Sequence, residues 1–225
     1  MIDPSNVQKD NRVVQLVVRV GMPEDFAAVE SLWRQQVRTT GLPTCMAKQP
    51  SAAADLREGR VLVAYLPDGR LASTVTVDVA TSADRLYEQL GHEVRIAKDE
   101  LPAVTTTRGC SLLGGAAFEV LRIITLEIAG RMTHHIGGRI RSIVGVHLAP
   151  EPHVLALLLK LGYAVAAFDG GSDEFHESCI VTRLNLGRFM PALELLGIES
   201  AEGRIPSYRW EGPRLFAQWL PQYSR

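Results

Sequence analysis

Two β-rich runs, residues 60–65 (Arg-Val-Leu-Val-Ala-Tyr) and 70–79 (Arg-Leu-Ala-Ser-Thr-Val-Thr-Val-Asp-Val), flank the four residues Leu66-Pro67-Asp68-Gly69. Proline presets φ for a turn, aspartate hydrogen-bonds its own backbone, and glycine takes a positive φ without steric cost. The segment predicts an antiparallel hairpin. A chain that contains one is neither all-helical nor built on a purely parallel sheet.

The rest of the chain supplies the elements such a hairpin must pack with. Residues 13–20 are rich in β-branched side chains and stop at Gly21, which predicts a first strand. Pro23-Glu24-Asp25 suits a helix start, and Phe26, Val29, Leu32 and Trp33 give the following helix an apolar face. Gly41 and Pro43 end it, and the alanine-rich residues 51–58 predict a second short helix. Beyond the hairpin lies a polar excursion over 81–99 with a helix at 83–90, then a strand at 102–107. Residues 116–136 form a long apolar stretch whose polar positions Glu119, Arg122, Glu127 and Arg131 leave broad apolar faces, as in a central buried helix stopped by Gly137-Gly138. A strand at 141–148, a helix opened by Pro150-Glu151-Pro152, and strands at 164–168 and 178–186 follow, with helices at 189–196 and 214–219. This order predicts a mixed α/β fold, with a largely antiparallel central sheet and helices on both faces. A length of 225 residues fits one domain, its core over about 13–186 and a C-terminal helical extension over 187–225.

Composition narrows the partners. With 24 Lys and Arg against 25 Asp and Glu, no net field attracts nucleic acid or an anionic membrane. Cys45, Cys110 and Cys179 are scattered and odd in number, without a CxxC pair, which fits a reducing, cytoplasmic setting better than a disulfide framework or a zinc site. No apolar run reaches the ~20 residues that span a bilayer, and residues 1–11 lack the apolar core of a signal peptide. His134, His135, His147, His153 and His176 have no metal-ligand spacing, so no metal is expected.

Arg108-Gly109 and then Ser111-Leu112-Leu113-Gly114-Gly115-Ala116 stand between the predicted strand at 102–107 and the long helix. Small residues let backbone amides approach a phosphate at a helix N-terminus, where the dipole favours an anion, and Arg108 offers a charge-assisted contact. The plainer reading is that these glycines begin a tightly packed helix. Element order and loop together resemble the GNAT superfamily of N-acyltransferases over roughly residues 13–186. In that family the loop holds the pyrophosphate of coenzyme A, with the signature Gln or Arg, two residues, Gly, one residue, Gly or Ala. Gly114 and Ala116 match it and Ser111 departs from it. The run Ala156-Leu157-Leu158-Leu159-Lys160-Leu161-Gly162-Tyr163 is similar to the family's late helix, which ends in Leu-Gly and an aromatic residue. Many members carry, four residues before that glycine, a tyrosine that protonates the departing thiolate; here the position is Leu158.

The resemblance implies an acyl thioester co-substrate, either acyl-coenzyme A or the phosphopantetheine of an acyl carrier protein, and an amine acceptor. It implies docking along Val104, Thr106, Arg108, Gly109, Ser111, Gly114, Gly115 and Ala116, with the pantetheine lying along the Val104 strand. The two departures and the polar excursion are similar to the long-chain N-acyl amino acid synthases and the acyl-homoserine lactone synthases. The lactone synthases' N-terminal arginine and tryptophan pattern is missing, which favours an N-acyl amine product. The same departures also fit a catalytically silent module of this fold that binds an acyl ligand or a protein.

Amine acylation needs a group that takes the ammonium proton and a donor that polarises the thioester carbonyl. His147, at the end of the predicted strand 141–148, is the first candidate for base or substrate contact, and Glu100, just before Pro102, is the alternative base. Their plainer roles are a loop-capping histidine and an exposed charge. Thr105, Thr106 and Thr107 offer hydroxyls along an acyl channel, or are simply good strand formers. Cys110 offers a thiol nucleophile activated by Arg108 and the helix end.

Overall fold

The computed structural model describes residues 15–40, 52–90, 96–112, 115–135, 140–148, 152–169, 179–202 and 205–211. The hairpin forms where the turn chemistry requires it. Strands β2 (Val61–Tyr65) and β3 (Leu71–Ala80) pair antiparallel, closed by the Leu66 N–H to the Arg70 carbonyl at 2.8 Å, with Gly69 at φ +83°. Around it assemble β1 (Leu16–Val20), β4 (Ala103–Ser111), β5 (Ser142–Leu148), β6 (Ala164–Asp169), β7 (Cys179–Asn185) and β8 (Tyr208–Trp210). These make one eight-stranded sheet in the order β6-β7-β5-β4-β3-β2-β1-β8. All neighbours run antiparallel except β4 with β5 and β1 with β8.

Helices cover both faces, as the element order requires. The largest core packs α4 (Gly115–His135), α5 (Pro152–Lys160) and α6 (Phe189–Ala201) on one face, through Val120, Leu121, Ile124, Leu158 and Phe189 against Val18, Leu62, Val77, Val104 and Ile143. On the other face, α1 (Phe26–Thr40) and α2 (Ala52–Arg57) bury Val29, Trp33 and Leu56 against Val61, Val63 and Cys110. Beside them α3 (Ala83–Leu90) sets Leu86 and Leu90 against Ala103, Val144 and Val181. Each fully buried aliphatic side chain contributes about 1.5–3 kcal/mol, so the α4 face is the main source of cohesion. Among the described residues no helix is long and apolar enough to cross a membrane.

Three features depart from expectation. First, β4 continues to Ser111 instead of ending at Thr107, because Arg108 takes φ +51° and forms a bulge that keeps the strand paired with β3. The register shows it: Thr76 faces Thr107 and Thr74 faces Cys110, so three steps on β4 match two on β3. Second, the C-terminal region is not wholly helical, since β8 returns to the sheet and pairs parallel with the edge of β1; the predicted helix at 214–219 lies outside the described residues. Third, Glu119 and Arg122 do not face solvent from α4: they are 6% and 8% exposed.

Candidate active site

The site begins where two neighbouring strands part. β4 and β5 pair in parallel from Ala103↔Ser142 to Thr106↔Gly145 and no further. Beyond that point each keeps its outer partner, β4 pairing with β3 as far as Ser73↔Ser111 and β5 with β7 as far as Leu148↔Cys179. A wedge therefore opens in the middle of a continuous sheet, between residues 107–111 of β4 and 146–148 of β5. The Arg108 bulge accounts for it locally, because a bulged strand bends and twists more strongly than its neighbour. The N-terminus of α4 starts at Gly115, four residues after β4 ends at Ser111, at the mouth of the wedge.

Strand alternation decides which side chains reach this opening. Val104, Ile143 and Leu184 belong to the α4-side core, so Thr106, Gly145 and Thr182, each two residues away along its strand, and His147, four residues from Ile143, share that face. A Cβ added to Gly145 would lie 2.6 Å from Thr106 Oγ1 and 3.3 Å from His147 Nε2. Glycine thus keeps the vertex of the wedge open and lets the imidazole lean over it. His147 Nε2 lies 2.8 Å from Thr182 Oγ1, a hydrogen bond that fixes the ring. Burial and then the positive charge of Arg122 push the His147 pKa down to about 4, so the ring is neutral at physiological pH.

The other sequence candidates divide. Val104 is fully buried in β4, and Thr106 stands at the vertex itself. Gly109 faces α4 for a steric reason: a Cβ there would meet Phe118 Cε2 at 2.5 Å. Ser111 closes the β3–β4 ladder, Gly115 and Ala116 open α4, and Gly114 lies outside the described residues. Arg108 is turned the other way, toward α1 and α2, where its Nη1 donates to Asp55 Oδ2 at 2.6 Å and its guanidinium stacks 5.1 Å from the Trp33 ring. Glu100 sits at the far end of β4 from the wedge, where its Oε2 accepts from Arg183 Nη1 at 2.6 Å and from the Ala97 N–H at 3.0 Å. The structure does not bring Glu100 to His147.

Two further hydroxyl and thiol candidates are occupied structurally. Thr105 Oγ1 donates to Gln89 Oε1 at 2.9 Å and anchors α3. Cys110 is buried on the α1–α2 face and burial pushes its thiol up to about 12, so it holds no thiolate at neutral pH. A thiol nucleophile at Cys110 is not what this environment makes. Among the described residues no three His, Cys, Asp or Glu side chains gather as metal ligands.

Sequence reading missed one cluster. Inside the α4 face, Arg122 Nε donates to Glu119 Oε2 at 2.9 Å, and the guanidinium stacks 5.2 Å from the Phe118 ring and 5.8 Å from that of Tyr163. Arg122 Nη2 is buried with no hydrogen-bond partner. The i, i+3 spacing of Glu119 and Arg122 was legible as a pair, but not its burial.

Comparison with known proteins bears on the fold. No protein-family model matches the sequence, and no curated protein matches it. Solved structures do. An N-acetyltransferase from Staphylococcus aureus Mu50 superposes with a TM-score of 0.52 at 13% identity, covering 76% of this chain and 99% of that one. A structure described as a probable acetyltransferase from Staphylococcus epidermidis ATCC 12228 gives 0.54 at 10% identity, covering 76% and 99%. The chain thus shares the fold of these two acetyltransferase structures over about three quarters of its length.

Proposed function

We propose that the protein is an N-acyltransferase that carries an acyl group from a pantetheine thioester, of coenzyme A or an acyl carrier protein, to a primary amine. The observation that carries this reading is the wedge between β4 and β5, which stop pairing with each other beyond Thr106↔Gly145, at the end of β4 from which α4 begins four residues later. An extended pantetheine arm has amide groups that add to such an edge as a strand does, and the helix end suits its phosphates.

The chemistry follows from the vertex. The thioester carbonyl sits near Thr106 and Gly145, and the neutral amine attacks its carbon. The new C–N bond forms, the C–S bond breaks, and its electron pair leaves on sulfur. His147 is neutral above about pH 4, so it accepts the amine proton and passes it on to solvent. Leu158 is fully buried in the core, so it supports no proton donor from α5 to the departing sulfur. That same absence motivates the second reading, a silent acyl-ligand module. The long-chain N-acyl amino acid synthase assignment rests on the departures at Ser111 and Leu158.

Thermal unfolding with free coenzyme A, acetyl-coenzyme A and a long-chain acyl-coenzyme A tests all of this. At 100 times the dissociation constant, linkage stabilises by about 2.7 kcal/mol, or roughly 5–10 °C for a domain of this size. A shift that grows with chain length supports the long-chain synthase, and equal shifts support a small-acyl transferase. Shifts without turnover of an amine panel support the silent module. No shift with any of the three removes the coenzyme A reading.

A further inference from the structure

Arg122, buried beside the wedge, is left unused by the chemistry above. It stands near the middle of α4 on the face packed against the sheet and is 8% exposed. Phe118, one turn earlier, packs over Gly109 of β4, and the Arg122 guanidinium stacks on Phe118. Across the wedge its charge falls on His147 of β5. The guanidinium therefore lies between Phe118, which packs on β4, and Tyr163, the residue just before β6, close enough to His147 for its charge to be felt there. Glu119 takes its Nε, the Tyr163 hydroxyl approaches it, and Nη2 is left without a partner.

A buried charged donor with no acceptor is costly, and a ligand group that accepts from it recovers that cost. Arginine cannot give up its proton, so it does not act as an acid here. It can hold a negative charge as that charge forms. Resting on the N-acyltransferase reading, we infer that Arg122 is a catalytic residue whose Nη2 binds the pantetheine sulfur as it becomes a thiolate. No proton is transferred to sulfur at this step: the C–S electron pair stays on sulfur as the counter-charge of Arg122, and the amine proton leaves by way of His147. This gives the departing thiolate a stabiliser at a site where Leu158 provides none.

A bound thiolate can be detected without knowing the acceptor amine. Coenzyme A and its desulfo analogue share every contact except the sulfur. A free thiol ionises near pH 8.5, and an adjacent cation lowers this by one to three units. Among the described residues, the charged or titratable groups around Arg122 are Glu119 on α4, His147 on β5 and Tyr163 just before β6. His147 titrates near 4 and burial raises Tyr163 above its ordinary range, so neither changes charge between pH 6 and 8.

Calorimetry of both ligands at pH 6, 7 and 8, in buffers of different ionisation enthalpy, is the test. Between pH 6 and pH 8 the affinity of the native protein for coenzyme A should rise about three- to sixtyfold more than its affinity for desulfo-coenzyme A, with proton release, the shared phosphates cancelling in the comparison. Because Arg122→Met alone would strand Glu119, the comparison uses Glu119→Gln/Arg122→Met, with Arg122→Lys as the charge-retaining control. The double variant should bind desulfo-coenzyme A as the native protein does and lose the pH-dependent gain; the lysine variant should keep part of it. Retention of the full gain in the double variant, or its absence in the native protein, overturns the inference and leaves the acyltransferase reading standing. Failure of the native protein to bind either ligand overturns the inference together with the coenzyme A form of the acyltransferase reading.

Discussion

His147 has a protonation behaviour that sets it apart from a surface histidine. Its ring is neutral down to about pH 4, because burial and then Arg122 disfavour the imidazolium. A base acts only when unprotonated, so kcat/KM expressed per neutral amine should hold steady as pH falls from 7 through 5 and drop only near 4, well below the 6.5 of an ordinary histidine. His147→Gln should reduce kcat by about 10²- to 10³-fold and abolish that acid limb. Stability gives a second reading with the sign worked out. The unfolded chain binds a proton below about pH 6.5 that the folded ring refuses until about 4, so the native protein loses stability across that interval. Denaturant titrations at pH 7 and 5 should show a smaller loss for His147→Gln. His147 was legible because it ends a strand with a clear β-branched pattern. Arg122 was not: periodicity treats every charge on an apolar helix as facing water, and only the packed position of Phe118 and Tyr163 shows that this one does not.

At the scale of elements, the bulge in β4 is what separates the two strands. Arg108 holds a left-handed φ of +51°, which costs a residue with a Cβ about 1 kcal/mol relative to glycine. Its side chain offsets this through Asp55, which also holds Arg60 at 2.7 Å, and through the Trp33 ring. Arg108→Ala loses the ion pair and keeps the strain, whereas Arg108→Gly loses the ion pair and relieves the strain. Chemical denaturation should therefore find Arg108→Gly more stable than Arg108→Ala by about 1 kcal/mol, the reverse of the order in an ordinary strand. Equal stabilities would mean that the bulge is not strained. The sequence announced a strand at 102–107 and a Gly-rich start to the long helix, but Arg-Gly reads as a turn signal. Only pairing with β3 shows that the chain passes through that turn signal still as strand, and that Arg108 points away from the helix end it was expected to assist.

For the molecule as a whole, the wedge and the C-terminal strand lie far apart in the sheet, with β3, β2 and β1 between β4 and β8. β8 contributes edge hydrogen bonds, among them the Leu16 N–H to the Ser207 carbonyl and the Glu211 N–H to the Val18 carbonyl, both at 2.8 Å. Such a short strand has no periodicity to read, so it was invisible in a tail expected to be helical. Its loss would uncover the edge of β1, an unpaired edge of the kind that promotes association between chains. Ending the chain after 202 rather than after 211 isolates this contribution. The shorter form should melt several degrees lower and sediment as a concentration-dependent mixture. It should nevertheless keep the coenzyme A-induced thermal shift of the longer form, because the strands that part to make the site retain all their own partners. If the shift vanishes while circular dichroism still reports a folded sheet, then binding depends on the C-terminal strand, and the site is wider than the opening between β4 and β5.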